Sequence, residues 1–544
     1  MRSEPRTSRA LIALALFVGC ATLYAVALEG ELGNADEGAW IPQAARSWWL
    51  VSHGRFHDPF WSENDMLWGF ASPPISKCVM GLGMASAGWG PESVRPNATF
   101  AGQPGYVPTP GALRAGRLSS VVLGAAAVAV LFLFLARDQP LGTAAWAAVL
   151  LASSPLWFRA SRRAMTDMHG LAASMLALAA FAAARARTRA GTSPAVRAAW
   201  WVLLGALLGT AVGCKFSAAG GAAGLVAWLL VAELGDADPA RTRLARLARA
   251  LVAPAVCIAA ALGVFVATYP YLWPNPVGRF RWILSLWRSV LEGRADFRPV
   301  GFENAFRPGL ASVPAAADVL VLPGGVLSWG LPLALVAGWW LRRRRSSVDV
   351  ARVGAWAFAA PVLVGGAILA TAATNMSQSW IVWAGLLGAT ASTVAVPGAL
   401  ERLRASEPLV VFTAWSSGGA LFALASTYYP WPRYYLPIVP ACAVAAALGL
   451  GDLRRSIEAL AGRWAARLVD VAAAAGVASV LVAFPRTGAA SLRKVAAGDL
   501  GPLPEWLQRV AAACLVAALA VALAKAASRR SGEVAAGTGS PSAR

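Results

Sequence analysis

Apolar runs of about 20 residues alternate with short polar connections along most of the chain. A run of this length crosses the hydrocarbon of a bilayer as an α-helix, in which every backbone N–H and C=O group is bonded internally. We predict about 12–14 such spans. They are residues 10–29, 115–136, 141–158, 168–184, 199–214, 216–232, 250–269, 316–341, 352–371, 379–397, 409–427, 434–451, 467–484 and 506–526. The pattern predicts an all-α polytopic membrane protein.

Basic residues cluster in alternate short connections, which predicts how the spans are oriented. The clusters lie within 185–197, 241–249, 342–345 and 454–455. Short connections rich in Lys and Arg face the cytoplasm, so both termini are expected there. The first apolar run is too long for a typical signal peptide and is predicted to be a retained span.

Two long segments are predicted on the external side, at 30–114 and 270–315. Both are rich in Trp, Tyr, Phe and Pro, which favours short helices lying in the membrane interface. We divide the chain into several parts. They are a cytoplasmic N-terminus at 1–9, a catalytic membrane domain at 10–451, C-terminal membrane helices at 452–526 and a disordered cytoplasmic tail at 527–544.

Composition agrees with a membrane protein. The 544 residues are 58% hydrophobic and 14% charged, which is more apolar than a soluble domain of this length could bury. The net charge is +21, but the basic residues come in short bursts between apolar runs. We therefore expect contact with membrane lipids and no nucleic-acid partner. The six cysteines have no CxxC spacing, so neither a disulfide framework nor a zinc site is indicated.

An acidic pair, Asp36 and Glu37, follows the first span by a few residues and precedes an aromatic stretch. A carboxylate at the rim of the bilayer can act as a general base on a substrate hydroxyl. The alternative is structural: acidic residues favour the first turn of a helix, here one beginning near Ala39.

Asp167 lies at the predicted external end of the fourth span. Acidic residues at membrane depth tend to face a cavity or a charged partner. Since Arg162 and Arg163 are about one turn away, an ion pair with them is the structural alternative.

Four cations are expected near the same external face: Lys77, Arg117, Lys215 and Arg433. Their charge-assisted hydrogen bonds could hold a lipid phosphate. Each could instead extend its side chain to the lipid head groups.

His53 and His57 are four residues apart beside Asp58. On a helix this spacing can bind a metal, but Gly54 and Pro59 flank the pair. We assign no metal site and leave a divalent metal cofactor open.

Five motifs occur in order along the chain and together resemble one family. They are Ala35-Asp36-Glu37, Ser72-Pro73-Pro74-Ile75-Ser76-Lys77, Leu113-Arg114-Ala115-Gly116-Arg117-Leu118-Ser119-Ser120, Arg163-Ala164-Met165-Thr166-Asp167 and Arg433-Tyr434-Tyr435-Leu436-Pro437-Ile438. The set is similar to the dolichyl-phosphate-mannose protein O-mannosyltransferases and their bacterial aminoarabinose-transferase relatives. These are membrane glycosyltransferases of the GT-C fold.

The resemblance implies a GT-C fold and a reaction. A polyprenyl-phosphate donor would give a mannose-like hexose or a modified pentose to a protein or glycolipid acceptor at the external face, with inversion. Asp36 would be the base, with Glu37 in support and Asp167 lining the same pocket. The implied substrate-binding residues are Lys77, Arg117, Arg163, Lys215, Arg433 and Tyr434, of which Arg117, Lys215 and Arg433 would stabilise the leaving phosphate. The expected location is the bacterial inner membrane, with the site facing the periplasm.

Two departures and two alternatives accompany this interpretation. Ser72 stands where the family has histidine, and no soluble carbohydrate-binding module follows the membrane domain, which favours a bacterial enzyme. A transporter or flippase of lipid-linked sugars would share the span count, but it predicts matched halves and charges near the midplane. An oligosaccharide-transferring enzyme is a second alternative.

Overall fold

The structure is a computed structural model. It describes residues 6–26, 28, 35–62, 72–95, 97–100, 103–235, 242–293, 407–426, 436–437 and 439–487, with scattered positions between 506 and 525. These parts of the chain are mostly helical. The helices are α1 Arg6–Ala25, α2 Ala35–Ser52, α3 Ile75–Ser86, α4 Pro110–Leu135, α5 Leu141–Ala152, α6 Pro155–Ser161, α7 Asp167–Arg189, α8 Pro194–Cys214, α9 Ala218–Gly235, α10 Arg243–Ala267, α11 Pro276–Gly293, α12 Glu407–Ser426, α13 Val439–Ala461 and α14 Arg463–Thr487.

Several helices are long and apolar enough to cross a membrane. Within the described ranges they number five, at Thr7–Ala25, Pro110–Leu135, Asp167–Arg189, Pro194–Cys214 and Ala250–Ala267. The all-α polytopic architecture is thereby confirmed. The total of 12–14 spans and the domain boundaries stay predictions, since the spans expected at 316–341, 352–371 and 379–397 lie outside the described residues.

One predicted span is wrong in detail. The apolar run 141–158 was expected to be a single helix, but it divides into α5 and α6. Pro155 has no N–H to donate and cannot continue the preceding helix, so it occupies the first turn of α6. The Ser154 hydroxyl accepts a hydrogen bond from the Trp157 backbone N at 3.5 Å and caps the new helix. Hydropathy alone does not show this break.

Helix α4 runs through the main hydrophobic core. It packs against α1, α5 and α7, and its Val128, Leu131 and Phe132 are fully buried. Helix α7 in turn packs on α8, and α8 on α10. Most of the buried side chains between these helices are alanine or other apolar residues, as close helix packing in a membrane requires.

The described part of the first segment that is predicted to be external forms a layer, called the external layer below, against the start of α4. Helices α2 and α3 pack together and against the start of α4, around Ile41, Met80 and Met84. The segment also contains a short antiparallel hairpin of β1 (Ala98–Phe100) and β2 (Gln103–Gly105), with Thr99 opposite Pro104. Interfacial helices were predicted here, but the hairpin was not.

The second external segment begins directly after α10. A 3-10 turn at Pro270–Leu272 leads into α11, whose Ile283 is buried while Val277 and Leu284 are exposed. One buried and one exposed apolar side are typical of a helix that lies in the membrane interface, which is the prediction for this segment.

Candidate active site

The acidic pair lies in the first turn of α2, which begins at Ala35. A negative charge is favourable in the first turn of a helix, so the position agrees with the structural alternative. The helix begins earlier than the predicted start near Ala39. The two side chains have different surroundings. Glu37 is fully buried and Asp36 is half-buried.

Glu37 forms a buried ion pair with Arg117 of α4. The Arg117 Nε donates to Glu37 Oε1 at 2.8 Å, and Nη2 donates to Oε2 at 2.7 Å. Both side chains are fully buried. Removing one partner of such a pair leaves an uncompensated buried charge, which typically costs about 3–5 kcal/mol. The pair therefore fixes α2 against α4.

The same ion pair reaches two further segments. Glu37 Oε1 accepts a hydrogen bond from the Ala164 backbone N at 2.8 Å, in the turn between α6 and α7. Arg117 Nη1 donates to the Leu28 backbone O at 2.7 Å, in the connection that leaves α1. The sequence predicts that Arg117 binds a donor phosphate. In the structure the guanidinium is buried and bonded to Glu37 and to this carbonyl.

Arg162 holds the end of α1. Its Nη1 donates to the backbone O atoms of Tyr24 (2.9 Å) and Val26 (2.5 Å), and its guanidinium lies over the Phe158 ring at 4.9 Å. The last carbonyls of a helix have no partner within the helix, and this arginine bonds to one of them, at Tyr24, and to the carbonyl of Val26 directly after the helix. Together with Arg117 it holds the carbonyls of Tyr24, Val26 and Leu28 at the end of α1.

Asp167, the first residue of α7, forms an ion pair with Lys215, which follows α8 directly. The sequence predicts an ion pair with Arg162 or Arg163 as the structural alternative, and this is wrong for Arg162, whose guanidinium faces the end of α1. Arg163 is half-buried in the turn before α7, where its backbone N donates to Ala160 O at 3.3 Å.

A small cavity of about 30 Å³ opens beside this ion pair. It lies between α7, α9 and α12, with polar side chains from Asp167, Ser174, Lys215 and Ser217. The other lining residues are Gly170, Leu171, Ala218, Gly221, Trp415, Gly419, Leu436 and Pro437. The predicted site residues Arg433 and Tyr434 lie outside the described residues, although Leu436 and Pro437 of the same motif line the cavity.

Lys77 lies in α3, within the external layer, and is almost completely buried. Its Nζ donates to the Ser72 backbone O at 3.2 Å and lies 5.5 Å from the centre of the Trp40 ring. Burial disfavours the charged form and lowers the pKa of Lys77 from 10.5 to about 7. The ammonium can therefore lose its proton near neutral pH.

The two external histidines do not face one centre. His53 stacks on Trp49 with ring centres 4.5 Å apart, and its Nδ1 lies 2.8 Å from Trp49 O. His57 instead meets the edge of Trp273, at 6.0 Å. Among the residues described, no three His, Cys, Asp or Glu side chains are grouped to hold a metal ion.

Some residues of the site have no signal in the sequence. Trp415 and Ser174 line the cavity, but each lies inside an apolar run and resembles an ordinary packing residue. His169 of α7 is buried beside the site but does not line the cavity, and its Nε2 lies 3.1 Å from Ser119 Oγ. A motif that identifies Asp167 cannot identify the residues of other helices that face it.

Residues 48–271 match the family model for dolichyl-phosphate-mannose-protein mannosyltransferase. The matched segment includes Lys77, Arg117, Asp167 and Lys215 and begins after Asp36. The resemblance seen in the motifs is confirmed over this segment, and it supports a membrane glycosyltransferase. The identity of the sugar and of the base is not part of the match.

Several solved structures are similar to the chain, among them the following two. ArnT from Cupriavidus metallidurans bound to undecaprenyl phosphate is 16% identical over 96% of this chain and 77% of that one, with a TM-score of 0.42. The archaeal oligosaccharyltransferase AglB from Archaeoglobus fulgidus, in complex with an inhibitory peptide and a dolichol-phosphate, is 15% identical over 86% of this chain and 55% of that one, with a TM-score of 0.43. No curated protein matches the chain.

Proposed function

We propose that this chain, a membrane protein whose residues 48–271 are similar to the dolichyl-phosphate-mannose-protein mannosyltransferases, transfers a sugar from a polyprenyl-phosphate donor to an acceptor hydroxyl. The reaction takes place at the external face, which is the periplasmic face of a bacterial inner membrane. The acceptor is a protein or a glycolipid, and the sugar is a mannose-like hexose or a modified pentose.

The observation that carries this proposal is the position of Asp36 beside the buried ion pair. Its neighbour Glu37 bonds to Arg117 and to Ala164 N. Ala164 lies three residues before Asp167, so this bond links the start of α2, which bears Asp36, to the segment that leads into Asp167. A half-buried carboxylate on a rigid turn is suited to remove a proton from a bound hydroxyl.

The proposed reaction is a single displacement. Asp36 takes the proton of the acceptor hydroxyl while the acceptor oxygen attacks the anomeric carbon of the donor. The bond from this carbon to the phosphate oxygen breaks, the electron pair leaves with the polyprenyl phosphate, and the anomeric configuration inverts. One base and a stabilised leaving group suffice for this chemistry.

The buried ion pair suggests a different division of roles among the predicted residues. We assign Glu37 and Arg117 to positioning, because both are fully buried and bonded to each other. Lys77 is assigned to the donor phosphate, since its ammonium lies within the external layer between Ser72 O and the Trp40 ring. Arg433 and Tyr434 keep their predicted roles as proposals.

The test is the variant Asp36→Asn, which keeps the size of the side chain and removes the base. We expect kcat for sugar transfer to fall by about 10²–10⁴-fold. Transfer is measured in detergent or in liposomes, with the purified protein and a panel of polyprenyl-phosphate sugars. Thermal unfolding should change only slightly, because the Glu37–Arg117 pair is retained and a negative charge at a helix N-terminus contributes about 0.3–1 kcal/mol.

A matched control is Glu92→Gln, in the same external segment. Glu92 forms an ion pair with Arg95 on the surface, and both side chains are more than 70% exposed. This variant should transfer sugar like the wild type. Full transfer by Asp36→Asn would remove Asp36 from the mechanism, and transport of the donor without any transfer would favour the flippase alternative.

A further inference from the structure

The imidazole of His169 is buried near the start of α7, and both of its nitrogen atoms have a partner. The residue is 2% exposed. Nδ1 lies 3.1 Å from the Met165 backbone O, and Nε2 lies 3.1 Å from Ser119 Oγ of α4. Because a carbonyl oxygen only accepts hydrogen bonds, Nδ1 carries a proton. In a neutral ring Nε2 then accepts a hydrogen bond, which the Ser119 hydroxyl donates.

This imidazole holds the backbone on both sides of Asp167. Met165 lies two residues before Asp167, and His169 lies two residues after it. The bond from Nδ1 to Met165 O therefore closes around the first turn of α7. The bond from Ser119 joins the same turn to α4. The position of the Asp167 backbone thus depends on one buried side chain and its two partners.

The bond between Ser119 and His169 belongs to a closed ring of five contacts. Each contact joins one element to the next, in the order α2, α4, α7, α8, α3 and back to α2, when the residue that directly follows α8 is counted with that helix. The contacts are Glu37–Arg117, Ser119–His169, Asp167–Lys215, the Cys214 backbone O with Ser76 Oγ at 3.1 Å, and the Lys77 ammonium with the Trp40 ring at 5.5 Å. The two residues that each element contributes are close in the sequence, so a shift at one contact is passed to the next.

Within this ring, the bond between Ser119 and His169 joins the two ion pairs. Arg117 and Ser119 are two residues apart on α4, and Asp167 and His169 are two residues apart on α7. A change in the separation of the two helices at this point therefore moves Asp167 relative to α2, which bears the proposed base Asp36. A displacement of about 1 Å in a site can lower a rate by about 10²-fold.

We propose that the bond between Ser119 and His169 positions Asp167 for sugar transfer. It sets the distance between this carboxylate and the proposed base, Asp36. This inference rests on the proposed function and deepens it. In this role Ser119 and His169 are positioning residues, which act through the helices that they join and do not touch the substrates.

The first experiment observes the imidazole by nitrogen-15 NMR of histidine-labelled protein in nanodiscs. The chain has three histidines, and since His53 and His57 are exposed, the buried ring can be distinguished. Near neutral pH we expect a ring that is protonated at Nδ1, and its Nε2 resonance should shift in Ser119→Ala. A ring protonated at Nε2 alone, or a spectrum that Ser119→Ala leaves unchanged, would overturn the proposal. This measurement does not depend on activity.

The second experiment measures kcat and KM for sugar transfer in Ser119→Ala. We expect kcat to fall by about 10-fold to 10²-fold, with the KM for the donor within about twofold of the wild type, because the groups that contact the donor are retained. Ser119→Thr keeps the hydroxyl and should restore most of kcat. A rise in KM without a fall in kcat would reject the positioning role. So would a low kcat in a Ser119→Thr variant that unfolds at the wild-type temperature.

The matched control is Cys257→Ala. The Cys257 thiol donates to the Trp201 backbone O at 3.3 Å and joins α10 to α8, so this variant also removes a buried bond between two helices. Trp201 lies in the first half of α8, away from the end that carries Lys215. The variant should unfold at a lower temperature than the wild type and keep its kcat. An equal loss of kcat in Cys257→Ala would assign the effect of Ser119→Ala to a general loss of stability.

The same measurements separate this inference from the proposed function. Full kcat in Ser119→Ala, together with an active wild type and an inactive Asp36→Asn variant, would reject only the positioning role. No transfer by the wild type from any donor of the panel would reject the proposed function.

Discussion

Lys77 is a lysine whose charge depends on pH near neutrality. Its pKa is lowered from 10.5 to about 7 because the side chain is buried. Between these two values the folded chain binds fewer protons than the unfolded chain, so this group favours folding at high pH. Its contribution to stability is largest above pH 10.5 and is lost as the pH falls through about 7.

Binding of the donor should weaken as the pH rises, whereas the contribution of Lys77 to folding stability increases. A phosphate is held by the protonated ammonium, and the protonated fraction declines as the pH rises through about 7. We therefore predict that the KM for the donor increases as the pH is raised from about 6 to about 8. The measurement is KM against pH for the wild type and for Lys77→Met.

In the Lys77→Met variant the KM should be high and should no longer change over this interval. A wild-type KM that is constant across the interval would show that Lys77 does not bind the phosphate through its charge. Unfolding of the variant, followed over the same pH values, separates loss of binding from loss of the fold.

The charged residues of the site could be selected from the sequence, but their partners could not. Asp36, Glu37 and Asp167 stand out because carboxylates are scarce and because the motifs occur in order. The arginine that pairs with Glu37 is 80 residues away, and the lysine that pairs with Asp167 is 48 residues away. Such ion pairs depend on how the helices pack together, and the distance between two residues along the sequence does not reveal this packing.

At the level of elements, helices α9 and α12 cross with their backbones in contact. A Cβ atom on Gly224 would lie 2.1 Å from Ala414 O, and one on Gly418 would lie 2.2 Å from Gly220 O. Small residues allow this approach in membrane helices, where packing replaces the hydrophobic effect. The crossing holds Trp415 and Gly221 at the cavity.

We predict that Gly224→Ala destabilises the protein by about 1–3 kcal/mol, because the added methyl group pushes the two helices apart. The measurement is thermal unfolding of the purified protein in detergent. Gly263→Ala is the control, since Gly263 lies in α10 and a Cβ there would meet nothing within 4 Å. It should leave the unfolding temperature unchanged or raise it. Equal effects of the two substitutions would contradict close packing at the crossing.

Hydropathy predicts that most of the helices exist, but it does not predict where a helix is interrupted. The runs that become α4, α7 and α8 are apolar for the length of a bilayer, so their helices are predicted correctly. The break between α5 and α6 depends on one proline and the serine that caps α6. A hydropathy average over about 20 residues does not detect two such residues. The hairpin of β1 and β2 consists of three-residue strands, too short for an alternating pattern.

On the scale of the whole molecule, the distribution of charge predicts which face is external. Arg185, Arg187 and Arg189 lie at the end of α7, opposite to Asp167 at its start. Arg185 is bonded to Glu233 at the end of α9, at 2.9 Å. Short connections rich in arginine face the cytoplasm, so Asp167, Lys215 and α2 are expected on the external side.

Cysteine labelling in intact cells tests this orientation. In a variant without the native cysteines, Ser52→Cys at the end of α2 should react with a membrane-impermeant maleimide. Ala190→Cys, after α7, should react only when the membrane is made permeable. Both positions are exposed, so a difference in labelling reports the side of the membrane. The reverse result would place the proposed site on the cytoplasmic side and contradict sugar transfer at the external face.

The ion pairs between distant helices also have a consequence for the synthesis of the chain. Asp167 leaves the ribosome 48 residues before Lys215, and Arg185 precedes Glu233 by the same number. At about 5–20 residues per second, each first partner waits roughly 2–10 seconds for its counter-charge. During this time Asp167 and Arg185 have not yet met the partners with which they pair in the folded chain. We therefore expect α7 to settle in the bundle only after α8 and α9 are complete.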